Sequence, residues 1–108
     1  MQVSRIKQQF PQIEQSIHQA VQACQNDQSV SQELKSSVQQ LDSQCRQAHA
    51  VLQQSQDESR IRQTIEPMEA TADRAKQACQ GAGNLQPQTK SAVMQAHDQL
   101  SQLKHQLH

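Results

Sequence analysis

The sequence predicts an all-α fold, an antiparallel up-down-up-down four-helix bundle built from two repeated αα-hairpins. Two observations predict it. Apolar residues recur in heptad steps along four stretches of the chain, and the chain resembles itself at an offset of 55, which aligns Ser4 with Ser59. In this repeat register 17 of 53 aligned pairs are identical without a gap, whereas this composition would give about five by chance. The repeats cover about 3–53 and 58–108, within one predicted domain of residues 1–108.

Helix 1 is predicted from Val3 to about Asn26, because its apolar residues keep one heptad phase. Pro11 removes a backbone hydrogen bond inside this stretch, but the phase continues across it, which indicates one kinked helix. Asn26 and its repeat partner Gly81 suit the left-handed residue that follows a helix. We call the mostly apolar residues that keep the heptad phase of a helix its seam. The seam residues of helix 1 are Val3, Ile6, Phe10, Ile13, Ile17, Ala20 and Cys24.

Helices 2 and 4 are predicted to begin at equivalent positions. Ser29 followed by Gln32 resembles a capping box, and the repeat partner of Ser29 is Asn84, another residue favoured at helix N-caps. Helix 2 is expected to end in the polar segment 53–56. Its seam residues are Leu34, Val38, Leu41, Cys45, Ala48 and Leu52.

Ser55 with Glu58 is a second capping-box pattern and predicts the start of helix 3. Pro67 is its expected kink, and the Gly-Ala-Gly sequence at 81–83 its end. Helix 4 carries Pro87 in its first turn, where a missing N–H group does little harm. The seam residues are Ile61, Ile65, Met68, Ala72, Ala75 and Cys79 in helix 3, and Thr89, Val93, Ala96, Leu100, Leu103 and Leu107 in helix 4.

The predicted core differs along its length. Seam residues near the hairpin loops at 27–31 and 82–86 are small, whereas those near the termini are large aliphatic side chains and Phe10. Because protein interiors are close-packed, we expect the helices to approach one another closely at the small-residue end instead of enclosing a cavity.

Composition excludes several classes of function. Ten basic and ten acidic side chains give a net charge of zero, and Phe10 is the only aromatic residue. Global attraction to nucleic acid or to an anionic membrane, and base stacking, are therefore not expected. About a quarter of the residues are glutamines, which we expect on the wet faces of the helices. Neither a membrane span nor a signal peptide is predicted, and we expect a cytoplasmic protein unless an export signal has been removed.

The seam offers no catalytic or metal-binding pattern. Its only carboxylate is Glu58, it carries no histidine, and the chain lacks the Glu-x-x-His pairs of metal-binding bundles. We therefore predict no catalytic residue, metal or cofactor and no enzyme activity. The histidines fall outside the seam and are expected at the surface: His18, His49, His97, His105 and His108.

Cys24 and Cys79 occupy the same position in the two repeats, which suggests, as an alternative function, a small metal- or thiol-handling protein. In the predicted bundle, however, helices 1 and 3 lie diagonally with axes roughly 12–14 Å apart. A disulfide requires Cα atoms within about 7 Å of one another. Buried cysteine also behaves as a small apolar residue, so we expect both to be reduced residues of the core.

The candidate partner-binding residues are two basic pairs at equivalent positions, Arg5 with Lys7 and Arg60 with Arg62. Both lie near the ends of helices 1 and 3 where the chain termini are, and an anionic partner is the expected ligand. A solvated face balanced by nearby carboxylates explains the same residues without any partner. The sequence thus favours a non-enzymatic helical interaction, adaptor or structural module, with room for a protein partner or self-association.

Overall fold

The computed structural model describes residues 2–81 and 83–106. Its four helices are α1 (Gln2–Asn26), α2 (Gln32–Gln54), α3 (Glu58–Gly81) and α4 (Pro87–Gln106). α1 and α3 each pack against both α2 and α4. Because short loops reverse the chain between successive helices, the result is an antiparallel four-helix bundle with Cα extents of 43 × 21 × 18 Å. The predicted fold class is confirmed.

The two ends of the bundle carry different parts of the chain. The segments 27–31 and 83–86 lie at one end, which we call the loop end. The segment 55–57 lies at the other, beside the start of α1 and the end of α4, and we call this the terminal end. The basic pairs of the sequence analysis lie towards the terminal end, and Cys24 and Cys79 lie at the loop end.

The core follows the predicted heptad seams. Every predicted seam residue within the described part of the chain is buried except Glu58 at the start of α3, and Leu107 lies outside that part. The buried apolar residues form a larger cluster that includes Phe10, Ile65 and Leu100, and a smaller one at the loop end that includes Cys24 and Cys79. Val21 packs against both clusters. The loop-end cluster contains Leu34, Val38 and Leu85 beside its alanines and cysteines, so its side chains are not uniformly small. Closer approach of the helices at that end stays a prediction.

Both internal prolines are accommodated without ending a helix. α1 is continuous through Pro11 and α3 is continuous through Pro67. Continuity follows from burial, because the apolar residues on either side of each proline belong to the same cluster and hold the segments in line.

The N-cap of α2 is Ser31, not the predicted Ser29. The Ser31 hydroxyl accepts the Leu34 N–H at 3.1 Å. The Ser29 N–H instead donates to the Asp27 carboxylate at 2.9 Å, which holds residues 27–29 in a tight turn before the helix. The error arose because both serines suit the cap and only the path of the loop selects between them.

The residue that caps α3 also differs from the prediction, and it lies at the other end of the segment 55–57. Asp57, not Ser55, precedes the helix, and its carboxylate accepts the Ser59 N–H at 3.0 Å. The Ser55 hydroxyl accepts the Asp57 N–H at 3.0 Å and so orders the turn before the cap. A carboxylate here gains from the positive end of the helix dipole, which a hydroxyl does not.

The helix ends also differ from the predicted local geometry. Asn26 and Gly81 are the last residues of α1 and α3, and neither they nor any other described residue has the left-handed conformation that we expected at these two positions. Asn84 is not the N-cap of α4, because that helix begins at Pro87. The ends of α1 and α3 nevertheless correspond in the repeat register, and so do the starts of α2 and α4. Superposition of the two hairpins in this register remains a prediction.

Candidate functional site

Each hairpin has a polar side-chain contact between its two helices at the same register. In the first hairpin Glu14 Oε1 lies 3.0 Å from His49 Nδ1, and in the second Glu69 Oε2 accepts Lys104 Nζ at 3.4 Å. The two glutamates are repeat partners, as are His49 and Lys104. In each hairpin the pair therefore connects equivalent flanks of its two helices, although the basic residue is a histidine in the first hairpin and a lysine in the second.

A second pair at equivalent positions exchanges its two members between the hairpins. His18 Nε2 lies 3.7 Å from Asp42 Oδ1 in the first hairpin, and His97 Nε2 lies 3.2 Å from Asp73 Oδ1 in the second. His18 is the repeat partner of Asp73, and Asp42 is the repeat partner of His97. Each hairpin thus pairs a histidine with an aspartate, but the histidine is on the first helix of the first hairpin and on the second helix of the second hairpin.

His97 is not the surface residue that we predicted. Its side chain is only 10% exposed, whereas that of His18 is 60% exposed. Its Nδ1 lies 3.2 Å from Asp98 Oδ1, so carboxylates face both ring nitrogens. Seam position alone did not reveal this burial, because residues that flank the seam also face a neighbouring helix in a four-helix bundle. His108 lies outside the described residues.

The buried carboxylate of Asp27 joins the two loops of the loop end. Asp27 is 4% exposed. Its carboxylate accepts the Gln86 N–H at 3.0 Å, the buried Thr89 hydroxyl at 2.9 Å and the Ser29 N–H at 2.9 Å. Hydrogen bonds from the backbone N–H groups of Gln86 and Ser29 lower the Asp27 pKa below its usual 3.8. Asp27 therefore serves as the side-chain acceptor at the start of α4, from a different hairpin.

The three cysteines are free thiols in the core. Burial, with smaller contributions from Cys79 and Asp27, raises the pKa of Cys24 to about 11. Burial also raises the pKa of Cys79, and it raises that of Cys45 to about 12 with help from the Glu14 carboxylate. These shifts disfavour the thiolate form that metal binding and nucleophilic attack require.

The four candidate partner-binding residues share the terminal end but not one surface. Lys7 lies in the groove between α1 and α2, whereas Arg62 is within 3.7 Å of Glu58 on its own helix. Arg5 and Arg60 are exposed. α1 and α3 occupy diagonal positions in the bundle, so the two pairs are separated by the intervening helices.

The pocket around Lys7 is the clearest candidate site at the terminal end. Its volume is about 310 Å³, and we call it the terminal pocket. Phe10, Pro11 and Leu52 provide its apolar part. Its polar part is a hydrogen-bonded chain in which His49 connects Glu14, at 3.0 Å, with Gln53, at 3.0 Å. The pocket therefore offers an apolar surface with a cation, Lys7, at its edge.

Sequence reasoning singled out Lys7 but not the rest of this pocket. Phe10 and Leu52 were assigned to the core, where they indeed lie, with 2% and 6% exposure. The signal that was available is Pro11, an exposed apolar ring next to the only aromatic residue. The repeat partner of Pro11 is Glu66, so the exposed proline ring has no counterpart at the equivalent position of the second hairpin.

The described residues support neither a metal site nor a membrane-spanning helix. Within 2–81 and 83–106, no three side chains of metal-binding type converge on a position that would hold an ion. In the same part of the chain, no helix combines the length and apolar character needed to cross a membrane. Comparison of the chain with protein-family models, with curated proteins and with solved structures finds no match.

Proposed function

We propose that this protein is a non-enzymatic helical interaction module that binds an acidic segment of a partner protein in the terminal pocket. The observation that carries the proposal is the combination, in one groove between α1 and α2, of the Phe10, Pro11 and Leu52 surface with the Lys7 cation. An apolar pocket with a few placed polar groups is the usual form of a binding site.

The charges of the pocket favour a carboxylate on the partner. Lys7 makes no ion pair with any described residue, so its ammonium is available to a ligand. The Glu14 carboxylate is already engaged by His49 at 3.0 Å. Arg5, Arg60 and Arg62 add positive charge at the same end and would attract an acidic segment at low salt.

A binding role suits these groups better than catalysis. Both ring nitrogens of His49 are engaged, one by Glu14 and one by Gln53. A general base must present a free nitrogen to a substrate, so this arrangement serves to hold α1 against α2. The raised pKa values of Cys24 and Cys79 give little support to the alternative, a metal- or thiol-handling protein. Buried reduced thiols agree with the cytoplasmic location that we propose.

The test is an NMR titration with a short synthetic peptide that has one leucine between glutamates. We expect amide shifts centred on Lys7, Phe10, His49 and Leu52, and weaker binding as salt rises from about 0.05 to 0.5 M. A peptide with lysines in place of the glutamates should not bind.

A matched pair of variants locates the site. Lys7→Glu should abolish binding, whereas Lys35→Glu makes the same change in charge at an exposed position of α2 near the loop end and should leave binding unchanged. Circular dichroism of both variants checks that the helices are retained. Shifts centred on 27–31 and 83–86, or equal loss of binding in the two variants, would contradict the proposal.

A further inference from the structure

A continuous groove runs along the outside of the bundle between α1 and α4. It consists of three connected depressions of about 480, 240 and 100 Å³, from the loop end towards the terminal end. Gln19 and Gln95 line both the first and the second, and Gln12 and Gln99 line both the second and the third. From Gln9 to Asn26 the groove is about 25 Å long at about 1.5 Å per helical residue.

Uncharged amides line this groove, and we call it the glutamine groove. Its lining includes ten glutamines: Gln9, Gln12, Gln15, Gln19, Gln22, Gln86, Gln88, Gln95, Gln99 and Gln102. The remaining lining residues are Ile13, Ser16, Ala23, Asn26, Ser91 and Ala92, so no side chain of the lining is charged. The largest of the three depressions, of about 480 Å³, lies beside Ala23 and Ala92, where small residues leave open space between the outer flanks of the helices.

The corresponding groove between α2 and α3 is built differently. The repeat partners of Gln19 and Gln95 are Arg74 and Gln40, and the Arg74 guanidinium donates to Gln40 Oε1 at 3.0 Å. That hydrogen bond connects α2 with α3 across their groove, whereas the glutamine groove is open at the equivalent position. A depression of about 210 Å³ beside Pro67 is the part of this second groove nearer the terminal end. The two faces of the bundle are thus unequal although their positions correspond.

We propose that the glutamine groove is the face on which a second copy of this chain docks, in a two-fold symmetric dimer. In such a dimer the same surface meets itself, so every group must find a complement within its own set. A primary amide carries both donors and an acceptor, so a surface of glutamines is complementary to itself in either orientation. Carboxylates or ammonium groups would instead oppose like charges.

Charge and size agree with this occupant. The chain has a net charge of zero and the groove has no charged lining, so nothing in the long-range field repels a second copy. The groove is lined by 16 residues, somewhat fewer than the roughly 20–30 that each partner contributes to a standard interface. Ordering many glutamines costs rotamer entropy, so the dimer is weak and appears at high concentration.

The test is sedimentation velocity between about 10 µM and about 1 mM protein. We expect the average mass to rise with concentration from 12.2 kDa towards twice that value. Concentration-dependent NMR shifts should map to the side-chain amides of the groove. A mass that stays at one chain throughout this range, or shifts that map to α2 and α3, would overturn the proposal.

Variants that add charge decide whether the groove is responsible. Gln12→Glu with Gln88→Glu keeps side-chain size and places two like charges in the groove of each copy, which should weaken association about tenfold or more at low salt. High salt should restore part of it by screening. The control Gln39→Glu with Gln56→Glu adds the same charge at exposed positions outside the groove and should dimerise normally.

The variant in the terminal pocket separates this proposal from the proposed function. Lys7→Glu lies in the groove between α1 and α2 and should leave the dimer unchanged. Equal weakening in the groove variant and its control would attribute the effect to net charge, and loss of the dimer in Lys7→Glu would assign it to the other face. Either result would overturn docking in the glutamine groove.

Discussion

Truncation of Ile65 to alanine tests whether the core near the terminal end is close-packed. Ile65 is fully buried in the larger apolar cluster, with Ile61 and Met68 on the same helix. The change removes three carbon atoms, which at about 0.8 kcal/mol each gives about 2.4 kcal/mol for transfer alone. A cavity left by incomplete relaxation adds to this, so we expect a loss of about 3 kcal/mol in the free energy of unfolding.

Urea unfolding followed by far-ultraviolet circular dichroism is the suitable assay, because the chain has no tryptophan or tyrosine. With a denaturant slope of about 1.5 kcal/mol/M, the midpoint should fall by about 2 M while the slope is unchanged. Ile65→Val should lose only about 1 kcal/mol. Gln63→Ala, at a nearby exposed position of the same helix, should stay within about 0.5 kcal/mol.

The refuting result is a loss of less than about 1 kcal/mol for Ile65→Ala. It would mean that the cluster relaxes around the missing atoms, as a loosely packed core does, and that burial in the structure overstates the packing of this end. A marked change in the denaturant slope would instead show that unfolding is not a single transition.

Three further predictions concern polar and thiol groups. Hydrogen bonds lower the Asp27 pKa, so Asp27 contributes stability above about pH 4 that is lost as the pH falls through its folded-state pKa. The difference in unfolding midpoint between Asp27→Asn and the unchanged protein should therefore be largest near neutral pH and shrink towards about pH 2. A difference that stays constant with pH would contradict this prediction. With its pKa raised to about 12, the Cys45 thiol should react with a disulfide reagent only on unfolding, and rapid labelling in the absence of denaturant would refute its burial. Exchanging Asp73 and His97 with each other should lower the free energy of unfolding by no more than about 1 kcal/mol, because the first hairpin already has that arrangement. The single change Asp73→His places two histidines opposite each other and should lower it more. Equal losses of stability in the two variants would exclude a pairing role.

Some features of the site were recognisable in the sequence at the level of single residues. Lys7 was singled out because a basic residue recurs at its repeat position, and it does line the terminal pocket. The exchange of His18 and Asp42 for Asp73 and His97 was visible in the same register, but identity counts overlook it because neither position is identical. Comparing charges as well as identities between the repeats would have revealed that pair.

The terminal pocket and the glutamine groove could not be predicted in this way. Each depends on which flanks of two helices face one another and on how far apart they lie. A heptad pattern defines the seam that is buried, but polar residues on both flanks have similar sequence patterns. Gln19 and Arg74 occupy equivalent positions, yet one lines an open groove and the other spans its groove by a hydrogen bond to Gln40.

The sequence by itself determined the four helices and their seams, because these follow from a local apolar period. Tertiary structure alone decided the N-caps at Ser31 and Asp57, the burial of His97 and the role of Asp27. The physical reason is that each of these depends on the path of a loop or on a neighbouring helix. Asp27 shows it best, since its carboxylate accepts hydrogen bonds from Gln86 and Thr89, which belong to the other hairpin and lie far from it along the chain.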